Sequence, residues 1–202
     1  FYECYGIDGM RALDATVDYI RSKYPEIFLI ADAKRGDIGN TAKMYAKAFF
    51  EEMDFDAVTI APYMGADSVT PFLEYKDKWA IVLALTSNAS AYQFQNAQKD
   101  GKPLYQAVME EMMEISTPDN MMFVVGATKA DKLQELRSFC PDNFFLVPGV
   151  GAQGGSAEEV IANGSNDHGG LLINSSRGIL FADSTENYAK VAGEVAAKTA
   201  NL

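Results

Sequence analysis

Two carboxylates and one ammonium crowd into the run Asp32-Ala33-Lys34-Arg35-Gly36-Asp37, directly after the apolar stretch Ile27-Phe28-Leu29-Ile30-Ala31. A stretch of that kind reads as a buried strand, so the charges stand at its mouth. Side chains alternate faces along a strand, which puts Asp32 and Lys34 on one side and Ala33 on the other. A carboxylate and an ammonium are thus aimed together from the end of a core strand. Removing such charges from water is costly unless they are paired, and clusters of this type are enriched where chemistry happens. The same spacing also fits a solvated ion pair of little energetic weight.

A second group reads as an anion cradle. Val147-Pro148-Gly149-Val150-Gly151-Ala152-Gln153-Gly154-Gly155 satisfies G-x-G-x-x-G through Gly149, Gly151 and Gly154, after a strand and before a helix. In a dinucleotide fold that fingerprint lies in the first βα unit, and an acidic residue follows at the end of the next strand. Here it lies in the fifth visible unit, Pro148 abuts its first glycine, and the next strand ends at Asn174-Ser175-Ser176. Freed backbone N–H groups, the Gln153 amide and the start of a helix at Ala157 suit a phosphate better. Arg177, beside Ser175 and Ser176, adds a planar fork matched to phosphate oxygens. A glycine-rich turn plus a surface arginine is the plainer alternative. Thr86-Ser87-Asn88-Ala89-Ser90 offers hydroxyls and amides to neutral polar edges of a ligand, or ordinary helix capping. Asp37 and Asn40 are likewise placed to cap a helix beginning near Gly39.

The elements that must position these groups alternate along the whole chain. Strands are expected at Ile27 to Ala31, Ala57 to Ala61, Ala80 to Leu85, Met122 to Gly126, Phe144 to Pro148 and Gly170 to Asn174. Each is apolar almost continuously, the mark of parallel strands covered on both faces. Helices are expected at Gly9 to Lys23, Gly39 to Met53, Val69 to Tyr75, Leu104 to Ile115, Lys129 to Phe139, Ala157 to Asn163 and Asn187 to Ala200. Strict alternation implies an α/β architecture with right-handed crossovers. With no linker, repeat or low-complexity tract, residues 1–202 read as a single domain. Phe1-Tyr2-Glu3-Cys4-Tyr5-Gly6 runs straight into a helix as if cut just after a strand. Two further βα units upstream would bring the count to a (β/α)8 TIM barrel, with its first two strands absent from this chain. An open six-stranded sheet is the competing architecture.

Composition narrows the partners. Lysine and arginine number 17 against 28 aspartates and glutamates, a net charge of −11 that repels polyphosphate backbones and anionic membranes. Nucleic acid and membrane are therefore not expected partners, and an anionic small substrate needs a local cradle. No segment reaches the ~18 apolar residues of a bilayer span, and Phe1 to Gly9 lacks the pattern of a signal peptide. Cys4 and Cys140 are the only cysteines and His168 the only histidine, so neither a thiolate metal site nor a Ser-His-Asp mechanism is expected. A reducing cytoplasm fits. Met112, Met113, Met121, Met122, Tyr45, Phe49 and Phe50 fall at core spacing.

Asp32-Ala33-Lys34-Arg35-Gly36-Asp37-Ile38-Gly39-Asn40-Thr41, Pro148 to Gly155 and Ser175-Ser176-Arg177-Gly178-Ile179 together resemble the orotidine 5′-phosphate decarboxylases, in their longer bacterial branch. The likeness runs along essentially the whole chain. The D-x-K-x-x-D core alone is shared with a wider superfamily of sugar-phosphate decarboxylases and synthases. The resemblance implies a (β/α)8 barrel that forms a homodimer with sites shared across the interface. It also implies conversion of orotidine 5′-phosphate to UMP without metal or organic cofactor. Carried over by position, Asp32 lies against the substrate carboxylate and Lys34 protonates the pyrimidine carbon. Asp37, Ile38 and Thr41 reach the neighbouring subunit's site, and Ser87 reads the pyrimidine amide. Gln153 and Arg177, beside Ser176, hold the phosphate under the loop from Pro148. The family's further lysine and its first-strand acidic residue would both precede Phe1, so a truncated form of a longer protein is expected. A non-catalytic nucleotide-binding remnant and a metal-dependent sugar-phosphate decarboxylase or synthase are the alternatives.

Overall fold

The structure, a computed structural model, describes residues 1–127, 130–150 and 155–200. The expected alternation is present. In chain order the elements are α1 (Gly6–Lys23), β1 (Ile30–Arg35), α2 (Gly39–Lys47), β2 (Ala57–Ile60), α3 (Thr70–Leu73) and β3 (Trp79–Leu85). A small hairpin of β4 (Gln98–Lys99) and β5 (Lys102–Pro103) follows, then α4 (Leu104–Glu114), β6 (Met121–Val125) and α5 (Ala130–Phe139). The chain continues through β7 (Phe145–Pro148), α6 (Ala157–Gly164), β8 (Leu171–Asn174), α7 (Ser176–Leu180) and α8 (Tyr188–Ala200). The sheet order is β1-β2-β3-β6-β7-β8, and the pairs β1 with β2, β2 with β3, β6 with β7 and β7 with β8 are parallel. Every residue of β2 and β6 is buried. Burial on both faces is why these strands read as nearly continuous apolar runs, broken in β2 only by Thr59.

Two compact units divide the chain, Phe1–Val82 and Leu83–Leu202. In the first, α2 presents the fully buried Ala42 and Ala46 one turn apart, so its backbone sits close to the core. The helix expected to run to Met53 instead opens into a π turn at Ala48–Glu52. The wider turn brings neighbouring residues closer in angle, so the adjacent Phe49 and Phe50 both turn inward. Phe49 meets Phe55 and Phe50 meets Phe72 edge-on, each at 6.1 Å between ring centres. Short 3₁₀ turns at Pro62–Met64 and Ala66–Ser68 lead into α3, which keeps only Thr70–Leu73 of the helix expected from Val69 to Tyr75.

In the second unit Phe123, Phe145, Met109, Leu133, Leu136 and Val160 are fully buried. The β4–β5 hairpin was not anticipated from the polar run 98–103. Its turn is Asp100-Gly101, with φ of 54° and 82°, the left-handed pair that Asp-Gly accommodates. Arg137, near the end of α5, donates to the carbonyls of Cys140, Pro141, Asn143, Gly164 and Gly170. Its guanidinium also lies 4.1 Å from the centre of the Phe145 ring. Burial pushes its pKa down, and the nearby Cys140 and Asp142 offset only part of that. His168 is exposed in the turn between α6 and β8, as expected.

The first strand differs from its sequence expectation. It begins at Ile30 and continues through the charged motif to Arg35. Ala31 faces Val58, but the next paired residue, Arg35, faces Ile60, so β1 carries extra residues in a bulge. The ladder resumes where Ala61 donates its N–H to the Arg35 carbonyl at 2.8 Å. Asp32 and Lys34 thus lie within the strand and not in a loop beyond it.

Candidate active site

The bulge gathers the charged pair. Lys34 sits at φ 46°, the left-handed region that non-glycine residues seldom adopt. Its backbone N–H donates to the Thr59 hydroxyl on β2 at 2.9 Å instead of to a ladder carbonyl. That hydroxyl donates to Asp32 Oδ1 at 3.1 Å, with the Ala31 carbonyl farther off at 3.5 Å. Lys34 Nζ donates to the same Oδ1 at 2.5 Å. The side chains of Lys34 and Asp32 keep 50% and 65% of their surface exposed, so a ligand can reach both. Exposure also means that the pair adds little to folding stability.

Arg35 anchors the far end of the bulge. Its guanidinium pairs with Glu3, donates to the Ala33 carbonyl at 3.0 Å, and lies 5.4 Å from the ring centres of both Tyr45 and Phe49. Its Nε is buried without a partner among the described residues. Thr59 escaped the sequence reading, although it carried a signal. It is a lone hydroxyl in Ala57-Val58-Thr59-Ile60, and a polar group in a fully buried strand must find a partner.

Neither Asp37 nor Asn40 caps α2. The N-cap is the extended Ile38, with no side-chain cap bond, and Asp37 Oδ1 instead accepts the Ile38 N–H at 2.8 Å. The aspartate turns back on its own neighbour, which fixes the loop entering the helix. Asp37 is half-buried, and Ile38 and Thr41 are exposed.

The remaining candidates belong to the second unit. Ser87 follows β3 and is half-buried. A Cβ on Gly126 would come within 2.8 Å of the Ser87 N and Cβ atoms, so only glycine lets the end of β6 approach that loop. On the other side Gln95 clamps Thr86, accepting its N–H at 2.9 Å and donating to its hydroxyl at 2.7 Å. Thr86 in turn donates to Asn88 Oδ1 at 2.6 Å, and Asn88 donates to Ser90 at 3.2 Å. These residues bond to one another and cap no helix through a side chain.

Pro148 closes β7, while Gln153, with Gly151, Ala152 and Gly154 of the glycine motif, lies outside the described residues. Beyond them Ser156 caps α6, accepting the Glu159 N–H at 3.2 Å and donating to Glu158, which holds the Glu158 carboxyl below its usual range. Ser175 donates to the Val150 carbonyl at 3.4 Å and Ser176 to Asn174 Oδ1 at 3.1 Å. Arg177 is exposed in the first turn of α7. The C-terminal ends of the paired strands β7 and β8 therefore carry Pro148, Ser176 and Arg177 together. Among the described residues no group of three or more His, Cys, Asp or Glu side chains is arranged to hold a metal ion. No described helix is long and apolar enough to cross a membrane.

Comparison with known proteins agrees with this reading of the fold. The model of the orotidine 5′-phosphate decarboxylase / HUMPS family matches residues 2–192. The orotidine 5′-phosphate decarboxylase of Christiangramia forsetii is 55% identical over 193 residues, which cover 96% of this chain and 71% of that protein. The enzyme of the same name from Phocaeicola vulgatus is 54% identical over 199 residues, 98% of this chain and 73% of that one. Among solved structures, Leishmania donovani OMP decarboxylase superposes with a TM-score of 0.85 at 34% identity, covering all of this chain and 77% of that one. The parallel sheet and its helices share the α/β TIM-barrel fold class of those neighbours.

Proposed function

The chain belongs to the orotidine 5′-phosphate decarboxylase / HUMPS family, and from that premise we propose how its residues turn orotidine 5′-phosphate into UMP. Asp32 faces the substrate carboxylate, and Lys34 stands beside the carbon that carries it. Two like charges ~4 Å apart repel by about 4 kcal/mol at an effective dielectric near 20. The carbon–carboxylate bond breaks, carbon dioxide leaves, and the repulsion ends. The electron pair stays on the pyrimidine carbon, where the Lys34 ammonium meets it as an electrostatic partner and gives up a proton. The observation that carries this reading is the contact of Lys34 Nζ with Asp32 Oδ1 on a bulged, accessible strand segment.

In this reading Ser87 recognises the pyrimidine amide, and Pro148, Gln153, Ser176 and Arg177 hold the phosphate. Arg177 suits the task because it is exposed and presents a planar fork. Phosphate binding remote from the reacting carbon supplies energy that forces the like charges together. Asp37, Ile38 and Thr41 serve the site of a second subunit, in a cytoplasmic homodimer built from single-domain chains. The exposed Ile38 supports a role at a surface between copies, with 45% of its surface open.

The test uses the full-length protein. Lys34→Ala is expected to lower orotidine 5′-phosphate decarboxylation by several orders of magnitude while UMP still binds. Near-normal turnover in that variant would remove Lys34 from the mechanism. Turnover is also expected to persist in excess EDTA, because no metal takes part. Activity lost to EDTA and restored by magnesium would favour the metal-dependent members of the superfamily.

A further inference from the structure

We propose that Thr59 is the positioning residue of this site: its hydroxyl locks the bulge of β1 so that Asp32 and Lys34 stay in contact. The inference rests on the decarboxylase reading for what the pair does, and on geometry alone for what Thr59 does. On a regular strand, residues two apart are separated by about 6.5 Å. Alternation alone therefore leaves a carboxylate and a flexible lysine on one face without fixing where they meet. Here Lys34 adopts a left-handed backbone at φ 46°, which side-chain-bearing residues resist unless their surroundings hold them.

What holds it is one hydroxyl. A threonine side chain offers one proton and two lone pairs. Thr59 accepts the Lys34 backbone N–H at 2.9 Å, and the Asp32 carboxylate is the nearer of the two acceptors for its own proton, at 3.1 Å. A single buried group thereby couples the backbone of the lysine to the side chain of the aspartate. Thr59 is fully buried, so removing its hydroxyl takes from the Lys34 N–H and from the Asp32 carboxylate a partner held within the strand. Both the threonine hydroxyl and the lysine ammonium converge on Oδ1, which fixes the plane of the carboxylate. Hydrogen bonds to a charged group are the stronger kind, and an orientation set in advance favours the transition state over mere substrate binding.

Thr59→Val keeps the shape and removes the hydroxyl; Thr59→Ser keeps the hydroxyl; Thr59→Ala is a second hydroxyl-free variant should valine fail to fold. In the full-length enzyme, valine or alanine is expected to lower kcat by about 10- to 100-fold, with KM nearly unchanged. Serine is expected to restore most of kcat. Crystal structures of the same variants should show the Asp32–Lys34 contact opened in the hydroxyl-free forms and kept with serine. If both the contact and kcat survive without the hydroxyl, or if serine loses as much as valine, Thr59 acts by packing alone and the proposal is overturned. The crystallographic comparison needs no turnover. A wild-type protein inert towards orotidine 5′-phosphate would sink the decarboxylase reading, and the contact geometry would still decide the role of Thr59.

Discussion

Cys140 shows how far burial governs a single residue here. It is fully buried, donates its Sγ hydrogen to the Leu136 carbonyl at 3.2 Å, and has its thiol pushed up to about 12, with nearby Arg137 offsetting only part of the burial. The folded state therefore keeps this proton where the unfolded chain releases it. Above the ordinary thiol value of 9.0 the unfolded chain binds fewer protons, so this group makes stability decline as pH rises from about 9 to about 12. Urea unfolding across that window checks the sign, using Cys140→Ala to isolate the contribution. Cys4 is exposed. A thiol reagent is expected to label Cys4 at once in the native protein and Cys140 only at the rate of unfolding; rapid native labelling of both would contradict the burial argument. The same rule governs Thr59: a polar atom inside a strand is tolerable only when its partners are fixed, which is what makes it useful next to Asp32.

Among the elements, α5, α6, β7 and β8 are tied together by Arg137. Its five carbonyl partners come from the end of α5, the loop before β7, the end of α6 and the residue before β8. A guanidinium has five N–H donors in a flat fork, and here its hydrogen bonds go to backbone oxygens while Asp142 acts on it through charge. Arg137→Ala would strand these acceptors and lose the stacking on Phe145. It is expected to cost about 3 kcal/mol, read as a lower urea midpoint with an unchanged slope. Arg137→Lys should recover only part of the loss, because an ammonium cannot span the same set. A change below about 0.5 kcal/mol would mean that water replaces the arginine without penalty. The contrast with β1 is instructive: Arg137 secures regular elements to one another, whereas the Thr59 contact holds one element in an irregular shape.

For the whole molecule, the net charge of −11 sets a field that disfavours anionic ligands everywhere except where cations and N–H donors are concentrated. The proposed phosphate group at the ends of β7 and β8 is such a place. In the proposed homodimer, Lys34 serves its own subunit's site and Asp37 the neighbour's. Co-expressed Lys34→Ala and Asp37→Ala chains are then expected to form mixed dimers in which one site keeps both native residues. Activity should appear in the mixture that neither variant has alone. A mixture as inactive as its parents, with mixed dimers demonstrated, would show that each site is complete within one chain.

Much of this protein is legible without coordinates. Five of the six largely apolar runs coincide with strands, while Ile27 to Ala31 overlaps β1 only at Ile30 and Ala31, with Ile27 and Phe28 exposed before it. The charges in Asp32 to Asp37 mark the place proposed for chemistry, because strand periodicity and residue type are local properties. The bulge is not legible, nor is the hydroxyl that holds it. Thr59 lies 25 positions from Lys34, and only the register of β2 on β1 brings them together. Hydrogen-bond partners are assigned by which strands lie side by side and by where their ladders slip. The amino acids therefore determined which groups could react, and the tertiary structure decided which of them touch.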